Sequence, residues 1–145
     1  MPTAKGSAMK RIFFLWLIAQ PLWAETNPES VRALVQQWFK LQDARANTPE
    51  FLPMIDPEGF QFNFPEVELH STEDFNIWWH GFLRRFRNFS HNPYRIDVDA
   101  NDKGFQVRLD VDFNNDLGSS SSFQRWQVRD NQGSPVISSM KVVRW

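Results

Sequence analysis

The sequence predicts an α+β domain, cone-shaped, with helices packed in a curved and mostly antiparallel sheet around an apolar pocket. Three observations carry this reading. Residues 55–86, IDPEGFQFNFPEVELHSTEDFNIWWHGFLRRF, read as strand, tight turn, strand and then a capped aromatic helix. Residues 94–111 fold onto themselves as a hairpin in a single register, and two more strands close the chain.

The first helix opens at Asn27-Pro28-Glu29-Ser30. Asn27 is the cap, Pro28 takes the first helical position, where a missing N–H costs nothing, and Glu29 lies near the positive helix end. Val31, Leu34, Val35 and Trp38 then share one helical face, with Arg32, Gln36 and Lys40 on the other. Thr48 to Leu52 reads as a second, short helix that ends before the turn cluster Asp56-Pro57-Glu58-Gly59. Phe60, Phe62 and Phe64 alternate with Gln61 and Asn63 along a strand that Pro65 stops, and Val67 to His70 return beside it.

Ser71 caps the third helix, with Asp74 placed to complete a capping box. Phe75, Trp78, Trp79, Phe82 and Phe86 form one stripe at helical period, while Arg84 and Arg87 face away. Such a stripe serves first as core and only secondarily as a ligand wall. In the hairpin, a turn at Asn101-Asp102-Lys103-Gly104 sets Ala100 opposite Phe105, Val98 opposite Val107, Ile96 opposite Leu109 and Tyr94 opposite Val111. On the other face it sets Asp97 opposite Arg108 and Arg95 opposite Asp110, favourable charge pairs. The acidic ladder Asp97, Asp99, Asp110 and Asp112 is therefore read as a solvated charged face rather than a metal site. Asn114 to Ser122, NNDLGSSSS, reads as a polar loop. Phe123 to Arg129 and Val136 to Trp145 complete a four-stranded meander, with Phe123, Arg125 and Gln127 on one face and Trp126 and Val128 on the other.

Ahead of this domain, Met9-Lys10-Arg11, the run IFFLWLIA and a small residue at Ala24 match a signal peptide cleaved after Ala24. The apolar run ends at Ala19, short of the roughly 20 residues a spanning helix needs. The chain thus divides into residues 1–24, an N-terminal extension and signal peptide, and residues 25–145, a single exported domain, periplasmic or secreted, with no membrane association after cleavage. Met9 offers an internal start that leaves residues 1–8 as an upstream extension. Residues 25–145 hold 17 acidic and 13 basic residues, a net charge of −4. They lack the clustered basic surface of a nucleic-acid partner. The chain has no cysteine, which removes disulfides, thiolate nucleophiles and lipid attachment at cysteine together.

The segments VRALVQQWFKLQD, MIDPEGFQFNFP and FNIWWHGF, with the final meander, resemble the nuclear transport factor 2-like superfamily, specifically its SnoaL-like branch. The resemblance spans nearly all of residues 25–145. It implies a sheet that wraps the first and third helices and leaves a cavity at the wide end, and it makes homodimerisation an expectation. The charged outer face of the hairpin argues against a strongly apolar interface there. The fold hosts isomerases, cyclases, dehydratases and non-catalytic binding modules, so function must come from the site.

Steroid-isomerase-like members place a tyrosine on the first helix and an aspartate on the first strand. Here those positions hold Trp38 and Phe64, or at best Asn63. An indole only donates a hydrogen bond and Phe has no ionisable group, so ketosteroid isomerisation is excluded. Dehydratase-like members resemble this chain in an aspartate near the end of the first helix and a histidine just after the third; Asp43 and His91 match. The aspartate would hold one imidazole tautomer and leave the other ring nitrogen as a general base. The second histidine of that pattern has no counterpart, since residues 105–114 contain none. The plainer readings are a strand-start histidine bonded to backbone and an aspartate fixing its helix end.

His80 is expected on the surface and His70 in a turn. The three histidines stand at intervals that match no metal-ligand spacing, and neither a Gly-rich phosphate loop nor a Gly-x-Ser-x-Gly elbow occurs. No cofactor and no metal are expected. Two function classes remain. One is a binding module whose pocket, lined by Trp38, Phe62, Phe64, Trp79 and Phe113, holds a small apolar or polyketide-like molecule. The other is a dehydratase- or cyclase-type enzyme using His91 and Asp43.

Overall fold

The structure, a computed structural model, describes residues 25–144. The signal-peptide reading of residues 1–24 lies outside them. The elements are α1 (Pro28–Asp43), α2 (Thr48–Phe51) running into a 3-10 turn at Leu52–Met54, β1 (Gln61–Asn63), β2 (Glu68–Leu69), α3 (Thr72–Arg85), β3 (Phe89–Asn101), β4 (Gly104–Asn115), β5 (Gly118–Asn131) and β6 (Ser134–Arg144). The strands form one sheet in the order β2-β1-β6-β5-β4-β3. All neighbours are antiparallel except β1 and β6, which run parallel.

The helix starts behave as their residues dictate. Asn27 Oδ1 accepts the Ser30 N–H at 2.9 Å, and Ser30 Oγ accepts the Asn27 N–H at 2.9 Å, a closed capping box. On α3, Ser71 Oγ accepts the Asp74 N–H at 3.1 Å, and Asp74 Oδ2 reaches back to the N–H of His70 at 2.9 Å. That N–H, ahead of the Ser71 hydroxyl, holds the Asp74 carboxyl below its usual range. With its cap satisfied, α1 buries Val31, Val35 and Trp38 against the sheet. Trp38 stands at the centre of the core, edge-on to Phe51 at 5.1 Å, Phe62 at 5.9 Å and Trp126 at 6.1 Å between ring centroids.

The turn cluster before β1 is tied down rather than free. Asp56 is 6% exposed, its N–H donates to Ile137 O at 3.0 Å, and its carboxylate takes two hydrogen bonds from the Arg129 guanidinium at 2.6 and 2.8 Å. β1 is thereby set against β6 through the bridge of Ile55 with Ile137.

Two features of the meander differ from the sequence reading. The expected register holds from the 101–104 turn to Asp97 opposite Arg108, but a bulge lies between Tyr94 and Asp97. Beyond it Tyr94 faces Asp110 rather than Val111, Pro93 faces Val111, and His91 faces Phe113. Of the expected ion pairs, Arg95–Asp110 forms at 3.3 Å across the bulge, while Arg108 pairs with Asp99 at 3.1 Å instead of with Asp97 opposite it. Strand side chains alternate between faces, so one extra residue inverts the phase of everything upstream. An unbroken register would turn His91 outward with Arg95 and Asp97; the bulge turns it inward. Arg95 supplies the bulge at a φ of 51°, a left-handed conformation that a β-branched residue resists. Arg95→Val is therefore expected to lower stability by about 1–2 kcal/mol, with Arg95→Gly within about 0.5 kcal/mol of wild type, read from urea midpoints.

The second difference is NNDLGSSSS. It forms no loop: Asp116-Leu117 make a two-residue turn, and Gly118 to Ser122 pair with Val111 to Asn115 as the first half of β5. Backbone pairing carries this segment, and its serines bond across to β4, Ser121 Oγ donating to Asp112 Oδ1 and Ser119 Oγ to Asn114 Oδ1, each at 2.7 Å. Composition marked it polar, but ladder partners decided its conformation.

Candidate functional site

Between α1, α3 and the concave side of the sheet lies an open cavity of about 580 Å³. Its floor is apolar, with Trp38 and Phe39 from α1, Val111 and Phe113 from β4, and Met140 and Val142 from β6.

Asp43 is the last residue of α1, where the negative helix end disfavours a carboxylate. Its compensation comes from β3. The His91 backbone N–H lies 3.0 Å from each Asp43 carboxylate oxygen, and His91 Nδ1 lies 2.7 Å from Oδ1. A carboxylate only accepts, so Nδ1 carries a proton, and in the neutral ring the lone pair is on Nε2. The His91 side chain is 10% exposed and that of Asp43 30%. The imidazole stands between Phe39 at 5.1 Å and Phe113 at 4.8 Å between ring centroids, which fix its plane. His91 is on the cavity wall while Asp43 stands behind it. Among the described residues no protein group pairs with Nε2, and no buried side-chain nitrogen or oxygen is sealed away without a partner. Nε2 is accordingly open to the cavity.

Of the residues expected on the pocket wall, Trp38, Phe64 and Phe113 line it. Phe62 and Trp79 do not, and their placement is corrected: both are fully buried in the core. Phe62 packs between Trp38 and Phe60. Trp79 turns toward the connection after α1, its indole N–H donating to Ala46 O at 2.7 Å, and leaves the wall to its neighbours Trp78 and Phe82. The aromatic stripe of α3 is wide enough to serve core and cavity on its two edges, a division that period alone does not assign.

The sequence reading missed Gln42, Gln124 and Ser120 to Ser122, all on the wall. Gln124 Oε1 accepts the Trp126 indole N–H at 3.0 Å. The signal for Gln42 was its position four residues after Trp38, on the same helical face; the serines were hidden by the loop reading. His70 and His80 lie on the surface, away from the cavity. Among the described residues no group of three or more His, Asp or Glu side chains converges as a metal-ligand set, and no helix is long and apolar enough to cross a membrane.

No family model matches the chain, and no curated protein does. Solved structures do. A protein of unknown function with a cystatin-like fold from Nostoc punctiforme superposes with a TM-score of 0.72 at 14% identity, over 83% of this chain and 95% of that one. A putative scytalone dehydratase from Novosphingobium aromaticivorans gives 0.68 at 13% identity, over 81% and 83%. A nuclear transport factor 2-like protein of unknown function from Cytophaga hutchinsonii gives 0.58 at 18% identity, over 79% and 88%. At these identities the likeness establishes the fold, which is the cone of the nuclear transport factor 2-like proteins.

Proposed function

We propose that this nuclear transport factor 2-like domain is a dehydratase- or cyclase-type enzyme acting on a small, flat, largely apolar carbonyl compound, with His91 as its base. The observation that carries the reading is the 2.7 Å contact between Asp43 and His91 Nδ1, with the opposite ring nitrogen open to an aromatic cavity. Asp43 fixes tautomer and ring orientation, while Nε2 takes a proton from the carbon beside the carbonyl. The electrons of that C–H bond move into an enolate. Where a hydroxyl stands one carbon further on, the imidazolium returns the proton to it, water leaves and a double bond forms. A planar ligand suits the floor because aromatic walls select flat apolar bodies and leave orientation to few polar groups. The segment at residues 9–24 supports export, periplasmic or secreted, as the setting for this activity.

Deuterium incorporation into 2-tetralone, at the carbon between its carbonyl and its ring, measures proton abstraction without knowledge of the natural substrate. Wild type is expected to catalyse exchange in heavy water above the buffer rate, followed by NMR. His91→Ala should lower it on the order of 100-fold. Exchange unchanged in that variant rules His91 out as the base and leaves the cavity a binding site.

A further inference from the structure

Gln42 is 4% exposed and lines the cavity, yet among the described residues no protein group pairs with its side-chain amide. Trp38, at 1% exposure, likewise leaves its indole N–H without a protein partner, whereas Trp79 and Trp126 each have one. Since no unpartnered side-chain nitrogen is sealed off, both groups open on the cavity that their side chains line. Proteins seldom bury polar groups unpaired, because the lost hydration is not replaced. These two sit one turn apart on α1, about 5–6 Å between Cβ atoms. The residue after Gln42 is Asp43, which holds the His91 ring. Two donors and one base therefore share the wall of one cavity.

We propose that Gln42 Nε2 and Trp38 Nε1 bind the carbonyl oxygen of the substrate and hold the charge that builds on it, so that the site takes flat ketones. This rests on the proton-abstraction reading above and adds the substrate class. The indole can only donate, so the atom it meets is an acceptor. When His91 Nε2 takes the proton, negative charge moves to the carbonyl oxygen that the two N–H donors hold. Donors fixed in advance in a water-poor site stabilise such charge far better than mobile water does. Neither donor changes protonation; the proton stays on His91 until it is returned.

The test compares the binding of 2-tetralone with that of tetralin, its counterpart without oxygen, by titration calorimetry. Wild type should prefer the ketone about tenfold. Gln42→Leu should bring the two affinities within about twofold while tetralin still binds as in wild type, and should slow exchange on the order of 100-fold. His91→Ala should keep the ketone preference, because in wild type Nε2 accepts rather than donates. If the leucine variant loses tetralin binding as well, Gln42→Met, which keeps the unbranched stem, supplies the reading. A full ketone preference in the Gln42 variant that binds tetralin, its loss in His91→Ala, or its absence from wild type overturns the proposal. A wild type that prefers the ketone but catalyses no exchange refutes the base and leaves the donor pair standing.

Discussion

Asp56→Ala is expected to lower the stability of the domain at neutral pH by about 3 kcal/mol, the lower end of the cost of breaking a buried pair. The lower end applies because the Arg129 side chain is 29% exposed and regains water when its partner goes. The carboxylate accepts two guanidinium N–H groups and the N–H of Glu58 at 2.9 Å. It thereby fastens the turn before β1 to β5, and with it the parallel join of β1 to β6. The Arg129 hydrogen bonds, partly opposed by burial, hold the Asp56 carboxyl below its ordinary value of 3.8. The sign of the pH dependence follows. A lowered folded-state pKa makes the contribution fully present above the unfolded carboxyl range, near 3.9, and loses it as pH falls through the lowered value. Urea unfolding should thus show the gap between wild type and Asp56→Ala shrinking from pH 7 toward pH 2. An equal gap at every pH would assign the loss to shape rather than charge.

How far the sequence spoke for this structure varied with the range of the forces involved. Caps, amphipathic faces and the hairpin turn depend on residues a few positions apart, and Asn27, Ser71 and the 101–104 turn stand where their chemistry places them. The bulge at Arg95 was not legible, because the apolar pairs on one face and the charge pairs on the other both favour an unbroken ladder. What overrides them lies upstream: Phe89 and His91 must face inward with Phe113, and Asp43 must receive two donors from His91. Those contacts are 48 residues apart in the chain for Asp43 and His91 and leave no local period to read. The same holds for Gln42, whose neighbours on α1 announce a buried face without saying that the face opens on a cavity. Asp43 and His91 were legible as a pair only through resemblance, and the register implied by the hairpin alone would have set the histidine outside.

That dependence on one carboxylate makes Asp43→Asn the most informative single substitution. Asp43 Oδ1 meets both the His91 backbone N–H at 3.0 Å and Nδ1 at 2.7 Å, while Oδ2 meets the N–H alone at 3.0 Å; with the asparagine oxygen at the Oδ2 place, the amide nitrogen faces Nδ1. Two N–H groups cannot face one another, so in that orientation His91 moves its proton to Nε2. The ring keeps its place but offers the cavity a donor where it had a base. Exchange of 2-tetralone is expected to fall on the order of 10³–10⁴-fold, the scale a wrong tautomer costs in a hydrolase triad. Stability should change little, since one hydrogen bond to the backbone and one to the ring remain. Ketone binding should persist or strengthen, because Nε2–H becomes a third donor beside Gln42 and Trp38. A loss of exchange with ketone affinity retained separates a tautomer effect from a collapsed site. If Asp43→Asn exchanges within tenfold of wild type, the carboxylate merely ties the end of α1 to β3, and the imidazole works without a fixed tautomer.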